Sequence, residues 1–299
     1  MSIGQKINFV TGKGGVGKSV FAASMALAKA RMGENVLLLE IGESSYFRDF
    51  FGLKRVGHKP VETGLGFEVA LWSGETCLRE YIVHYLKLEK LLNLFFENNV
   101  MRALVNVAPG LNEIAILGKI TSGIRSIGPP LHYKRIIVDC YSTGHALALF
   151  RAARGLRDAI PFGPMGRNAS EIYEVLKNPN FCSYHIVTLL EEMPVIESLE
   201  LAAAMQAELK IQPDIFSNKT LYSPVNLEAL THLIQDPSCS DLNEFSVFLK
   251  TSIERQNKFL AEVKQKNFQK TMYDLPLVFS NDAKEIVQRC ADKEFIRAL

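Results

Sequence analysis

At 299 residues, 47% of them apolar, the chain is long enough to bury a substantial core in one large domain or two modest ones. A net charge of +2, with no lysine or arginine run and no interleaved aromatic stripe, gives no basis for a nucleic-acid partner. The five cysteines, at 77, 140, 182, 239 and 290, include no C-x-x-C pair, and no apolar stretch approaches the ~20 residues that span a bilayer, so a reducing cytoplasm is the expected compartment.

The first predicted element is an apolar strand, Ile7-Asn8-Phe9-Val10, which runs into Gly12-Lys13-Gly14-Gly15-Val16-Gly17-Lys18-Ser19. That octapeptide is a complete G-x-x-x-x-G-K-[ST] phosphate loop, and an Ala-rich helix over residues 20–32 leaves it, as the motif requires. Gly33 is placed to end that helix in the left-handed conformation, and residues 35–40 then read as a buried strand. Residues 75–127 form a mostly helical block, with Leu78, Tyr81, Ile82, Tyr85 and Leu86 at three-and-four spacing. Further strands are predicted at 134–139, 182–190 and 213–217, with helices at 144–155, 170–177, 194–209 and an amphipathic one at 241–268. This alternation predicts an α/β fold, a doubly wound and mostly parallel sheet flanked by helices. The expected organisation is a single domain over 1–299, with the 75–127 subdomain inserted within it.

The loop fixes the ligand class as a nucleoside triphosphate. Glycines 12, 14, 15 and 17 let backbone N–H groups of the loop, through Val16 to Val20, curl around phosphate at a helix N-terminus. Lys18 is placed to reach the β- and γ-phosphates, and the Ser19 hydroxyl to ligate Mg²⁺. A neighbouring strand must then bring an acid to the metal's water shell. Ile136-Ile137-Val138-Asp139 has that form, so Asp139 is assigned the role.

The extra lysine of the loop, Lys13, right after its first glycine, together with Asp139 and the later Thr143-Gly144-His145, resembles the deviant phosphate-loop ATPases of the ArsA type. That group includes arsenite-pump ATPases and targeting factors for tail-anchored membrane proteins. Pro109-Gly110-Leu111-Asn112-Glu113 is similar to a segment of the family's helical subdomain. Gln256-Asn257-Lys258-Phe259-Leu260 and Leu275-Pro276-Leu277 are similar to its C-terminal helix and last strand. The resemblance implies ATP and Mg²⁺ as cofactors and a dimer, of identical or related ATPase subunits, that closes around two nucleotides. Lys13 would then reach across to the partner's phosphates, and 139–145 would be a switch sensing the γ-phosphate. Asn218 would read the adenine edge, with Pro276 beside the nucleotide. The helical block would face a protein client or membrane partner.

Three departures from the family pattern matter. Gly42 stands where relatives carry the aspartate that orients the attacking water, which leaves Glu40 and Glu43 as the nearby carboxylates for that task. The zinc clasp between subunits would fall near Ser246 and Leu249, so no clasp is expected. The stretch between His145 and Cys182 is shorter than the targeting factors' Met-rich insertion. Cys77, Cys140 and Cys182 are a candidate set for binding a trivalent metalloid. The alternatives are a nucleotide-binding scaffold with negligible turnover, as in the non-catalytic half of a heterodimer, and a ParA- or MinD-like positioning ATPase.

Overall fold

Seven parallel strands form the middle of a nine-stranded sheet in the computed structural model, which describes residues 6–86, 110–221, 226–235, 240–265, 272–292 and 297–298. In chain order the first half comprises β1 (Lys6–Gly12), α1 (Lys18–Arg31), β2 (Val36–Ile41), α2 (Tyr46–Phe51), β3 (Val61–Glu62), β4 (Glu68–Trp72), α3 (Gly74–Leu86), α4 (Leu111–Ile120), α5 (Ser122–Arg125) and β5 (Arg135–Ser142). The second half comprises α6 (Thr143–Ala159), α7 (Gly163–Lys177), β6 (Cys182–Leu189), α8 (Glu192–Ala204) with a π turn at Met205–Leu209, β7 (Asp214–Thr220), α9 (Leu227–Gln235), α10 (Ser240–Gln265), β8 (Met272–Pro276), α11 (Ala283–Cys290) and β9 (Arg297–Ala298).

Among the described residues the strand order is β3-β4-β2-β5-β1-β6-β7-β8-β9, with only the edge strands β3 and β9 antiparallel. From β1 the chain winds towards β2 on one side, and after β5 it winds towards β6 on the other. The reversal lies at β1 and β5, and a crevice at the carboxyl ends of strands at such a reversal is where α/β folds bind ligands.

Both faces of the central strands are covered, which explains why they read as continuous apolar runs. Ile7 and Phe9 join Leu37, Leu39, Ile136 and Val138 in a core shared with α4, α6 and α8. Val10 joins Leu38, Ile137 and Val187 in a second core on the opposite face, under α1 and α2. The helical block contributes to the first core through Cys77 of α3 and Ile114, Ile116 and Ile120 of α4. Buried Lys119 ties it to the sheet, lying 4.1 Å over the Trp72 ring and 2.5 Å from Glu80. The side chains of Ile82, Tyr85 and Leu86, and residues 87–109 including Pro109, lie outside the described residues.

Helix α1 starts at Lys18, two residues before the expected boundary, because the last loop residues already form its first turn. Gly33 adopts φ +76 as anticipated. Helix α7 begins at Gly163, not 170, since a left-handed Gly163 followed by a proline in the first turn starts a helix readily. Elements β3, β4 and α2 went unpredicted. They are short, and α2 is held by Phe51, which stacks on Phe47 and packs on Phe67 of the later chain, a tertiary signal with no local periodicity. The C-terminal amphipathic helix ends at Gln265, and residues 266–268 of the expected span are outside the described set.

Candidate nucleotide site

The phosphate loop leaves β1 at the sheet reversal and is shaped by contacts that only glycine permits at two positions. Gly12 has φ +145, and a Cβ there would run into the Val187 carbonyl of β6. Gly17 has φ +96, and a Cβ there would strike the Asn218 amide. Val16 is buried in the core under α1 and anchors the loop between them.

Lys18, the first residue of α1, folds back so that its Nζ donates to the Lys13 carbonyl at 2.9 Å. Partial burial lowers its pKa, opposed by the nearby charge of Asp139. Asp139 lies on β5 in register with Val10 of β1 and Glu40 of β2. Burial pushes its carboxyl up to about 6, although Ser19 hydrogen-bonds to it and Lys18 is close. Its Oδ1 is buried with no hydrogen-bond partner among the described residues. A desolvated carboxylate with an unpaired oxygen, next to a serine hydroxyl and a lysine, suits a hydrated divalent cation beside a phosphate.

The predicted switch follows directly. Thr11 Oγ1 donates to the Tyr141 carbonyl at 3.0 Å, tying β1 to the end of β5. Thr143, Gly144 and His145 form the first turn of α6, with Gly144 and His145 exposed. No side chain caps that turn. Sequence reasoning missed Glu197 of α8. Its carboxylate accepts from Lys13 Nζ and, at 3.2 Å, from Thr143 Oγ1, so one acid joins loop and switch. The Lys13 bond, then Thr143, lowers its pKa. Nothing local marks it, since 184 positions separate Lys13 from Glu197.

Glu40 is 5% exposed at the end of β2. One carboxylate oxygen accepts from the Ser45 hydroxyl and the other from the backbone N–H groups of Tyr46, at 2.7 Å, and Phe47, at 3.3 Å. It therefore serves the N-terminus of α2, and burial raises its pKa against those bonds. Gly42 has φ +154 with open space where a Cβ would stand, and its N–H donates to the Trp72 carbonyl at 3.1 Å. Glu43 is exposed.

Asn218, near the end of β7, donates from Nδ2 to the Val16 carbonyl at 2.8 Å and so clamps the loop. Its Oδ1 accepts from Lys219 N at 2.9 Å. Gln256 of α10 braces the same turn, accepting from Leu221 N at 2.8 Å and donating to the Lys219 carbonyl at 3.1 Å. Pro276 is buried at the end of β8, in register with Thr220.

The metalloid expectation is corrected. Cys77, Cys140 and Cys182 are buried thiols, those of Cys77 and Cys182 pushed up to about 12 by burial and that of Cys140 raised well above its ordinary value. Among the described residues no three His, Cys, Asp or Glu side chains gather to hold an ion. Cys239 lies outside them. Among the described residues no helix is long and apolar enough to cross a membrane.

Residues 5–160 match the model of the anion-transporting ATPase family, ArsA, a stretch running from β1 through α6. ATPase BagA of Mycobacterium tuberculosis is 29% identical over 240 residues, covering 75% of this chain and 67% of its own. ATPase GET3 of Rhodotorula glutinis is 25% identical over 251 residues, covering 72% and 70%. An ATPase ASNA1 homolog of Plasmodium chabaudi chabaudi is 28% identical over 154 residues, covering 52% and 38%.

Proposed function

The chain belongs to the anion-transporting ATPase family, as an ATPase of the ArsA type, and from that premise we propose that it couples Mg²⁺ and ATP to the closing of a two-subunit switch. The observation that supports this reading most is the convergence of Lys18, Ser19 and Asp139, with an unpartnered carboxylate oxygen, at the sheet reversal. Backbone N–H groups of Gly14 to Ser19 and the Lys18 ammonium would hold the phosphates. Ser19 and Asp139 would hold Mg²⁺, which supplies charge neutralisation on the phosphate oxygens. Asn218 and Pro276 would flank the base. The subunits would be identical or related, and the inserted helical block would meet a protein client or a membrane partner in the cytoplasm.

In that cycle Lys13 leaves Glu197 to reach the partner's phosphates, and Glu197 is left with Thr143 of the switch as its remaining partner. The test separates binding from closure. Lys13→Ala should leave ATP binding by the subunit intact and abolish ATP-dependent association. Glu197→Gln should favour association by up to about fivefold, since a partly exposed ion pair is worth about 1 kcal/mol or less. Light scattering with an ATP analogue reads both, and association unaffected by loss of Lys13 refutes the trans role.

A second reading, very slow turnover by the isolated chain, is favoured by Gly42 and by the engagement of both Glu40 oxygens with α2. On this reading Glu40→Gln lowers stability by about 1 kcal/mol, as for loss of a helix cap, and changes turnover less than about threefold. A drop of about 100-fold at unchanged ATP affinity would instead make Glu40 the water-positioning group. Gly42→Asp has room but strains a backbone at φ +154, so any gain in rate comes with lower stability.

A further inference from the structure

Asn8 is a polar interruption in the middle of β1, between Ile7 and Phe9, whose side chains face the opposite core. It is 7% exposed. Its Oδ1 lies 3.3 Å from His185 Nε2 on β6, while its Nδ2 is buried with no hydrogen-bond partner among the described residues. His185 is equally buried, with Nδ1 3.6 Å from the Asp214 carboxylate. Both residues line a cavity of about 810 Å³ between α1, α11 and the sheet. Its other walls include Met25 and Ala28 of α1, and the rings of Phe21 and Phe216, which make an aromatic corner with the His185 ring. Ring centroids there stand 4.5 Å apart for Phe21 and Phe216, and 5.5 Å for His185 and Phe216.

A buried amide donor without an acceptor calls for an explanation, and a cavity of this size with apolar walls and few convergent polar groups has the character of a small-molecule site. We propose that it binds a neutral planar aromatic compound carrying a hydrogen-bond acceptor, an aryl amide or a heterocycle. The acceptor takes the Asn8 Nδ2–H, and the ring packs in the corner of Phe21, His185 and Phe216. A charged ligand is disfavoured because the floor is desolvated and the charged side chains, Lys29, Arg31 and Asp292, stand away from it on the last turn of α1 and after α11, with Arg31 paired to Asp292 at 2.8 Å. The cavity lies apart from the phosphate loop yet shares its two supports. β1 runs from Asn8 to Gly12, and α1 carries Phe21 less than one turn after Lys18.

The probes are 2-naphthamide, which offers a carbonyl acceptor, and indole, a neutral planar ring that offers none, each titrated into the full chain and followed by NMR. Both should bind with a Kd of about 1 mM or tighter, as expected for ligands of roughly ten heavy atoms. Asn8→Leu should weaken 2-naphthamide about tenfold and leave indole within about twofold. Asn8→Ala carries the same comparison if the leucine variant does not fold. Ala28→Trp, which fills the cavity, should remove both probes while ATP binding persists. Failure of either probe to bind the parent chain, or equal loss of both in the Asn8 variant, overturns the proposal.

Discussion

Lys18→Ala should lower ATP affinity by about 100-fold or more, the scale of losing a charge-assisted hydrogen bond to phosphate in a partly desolvated site. The side chain is half-buried, donates within the loop to the Lys13 carbonyl and faces Asp139, which on the proposed function places it to meet the β- and γ-phosphates. Its removal also leaves Asp139 without its nearest cation, which raises that carboxyl further and compounds the loss. The loop should persist, because its shape rests on Gly12, Val16, Gly17 and the Asn218 clamp and not on Lys18. Calorimetry checks the affinity, and an unchanged Kd would refute the phosphate-loop assignment.

Asp139→Asn should produce two effects of opposite sign. Turnover with Mg²⁺ should fall by about 100-fold, since an amide cannot supply the negative charge that holds the metal's water shell. Thermal stability of the nucleotide-free chain should rise, because a carboxylate held at a raised pKa by burial, with Oδ1 unpaired, is a cost of the folded state that asparagine lessens. ATP binding in EDTA should change little. Turnover assays across Mg²⁺ concentrations, with thermal unfolding in parallel, check both signs. A variant that keeps the parent's Mg²⁺ dependence would remove Asp139 from the metal site.

What could be read along the chain was what depends on neighbours in sequence. The phosphate loop is eight consecutive residues whose glycines, lysine and hydroxyl each answer a local geometric demand, and its flanking strand and helix follow from periodicity alone. Asp139 was reachable for a similar reason: an apolar run that ends in an acid places that acid beside the loop once β5, which continues to Ser142, pairs with β1. The alternation of strands and helices carried the parallel sheet, because handed crossovers leave few other arrangements.

The rest was decided by side chains that meet only after folding. Glu40 was a candidate for positioning the attacking water, and the turn that follows points three donors at it, from the Ser45 cap and the first turn of α2. Asn218, expected to read the adenine edge, has a second task that only folding shows: its amide is set against the loop carbonyl of Val16. Glu197, which holds Lys13 and Thr143 together, is one acid among many on an ordinary helix until α8 packs beside the loop. Asn8 and His185 are 177 positions apart and share a cavity floor only because β1 and β6 are adjacent strands. Strand pairing and helix packing set those distances, and they depend on the whole sheet, so no window of the sequence contains them.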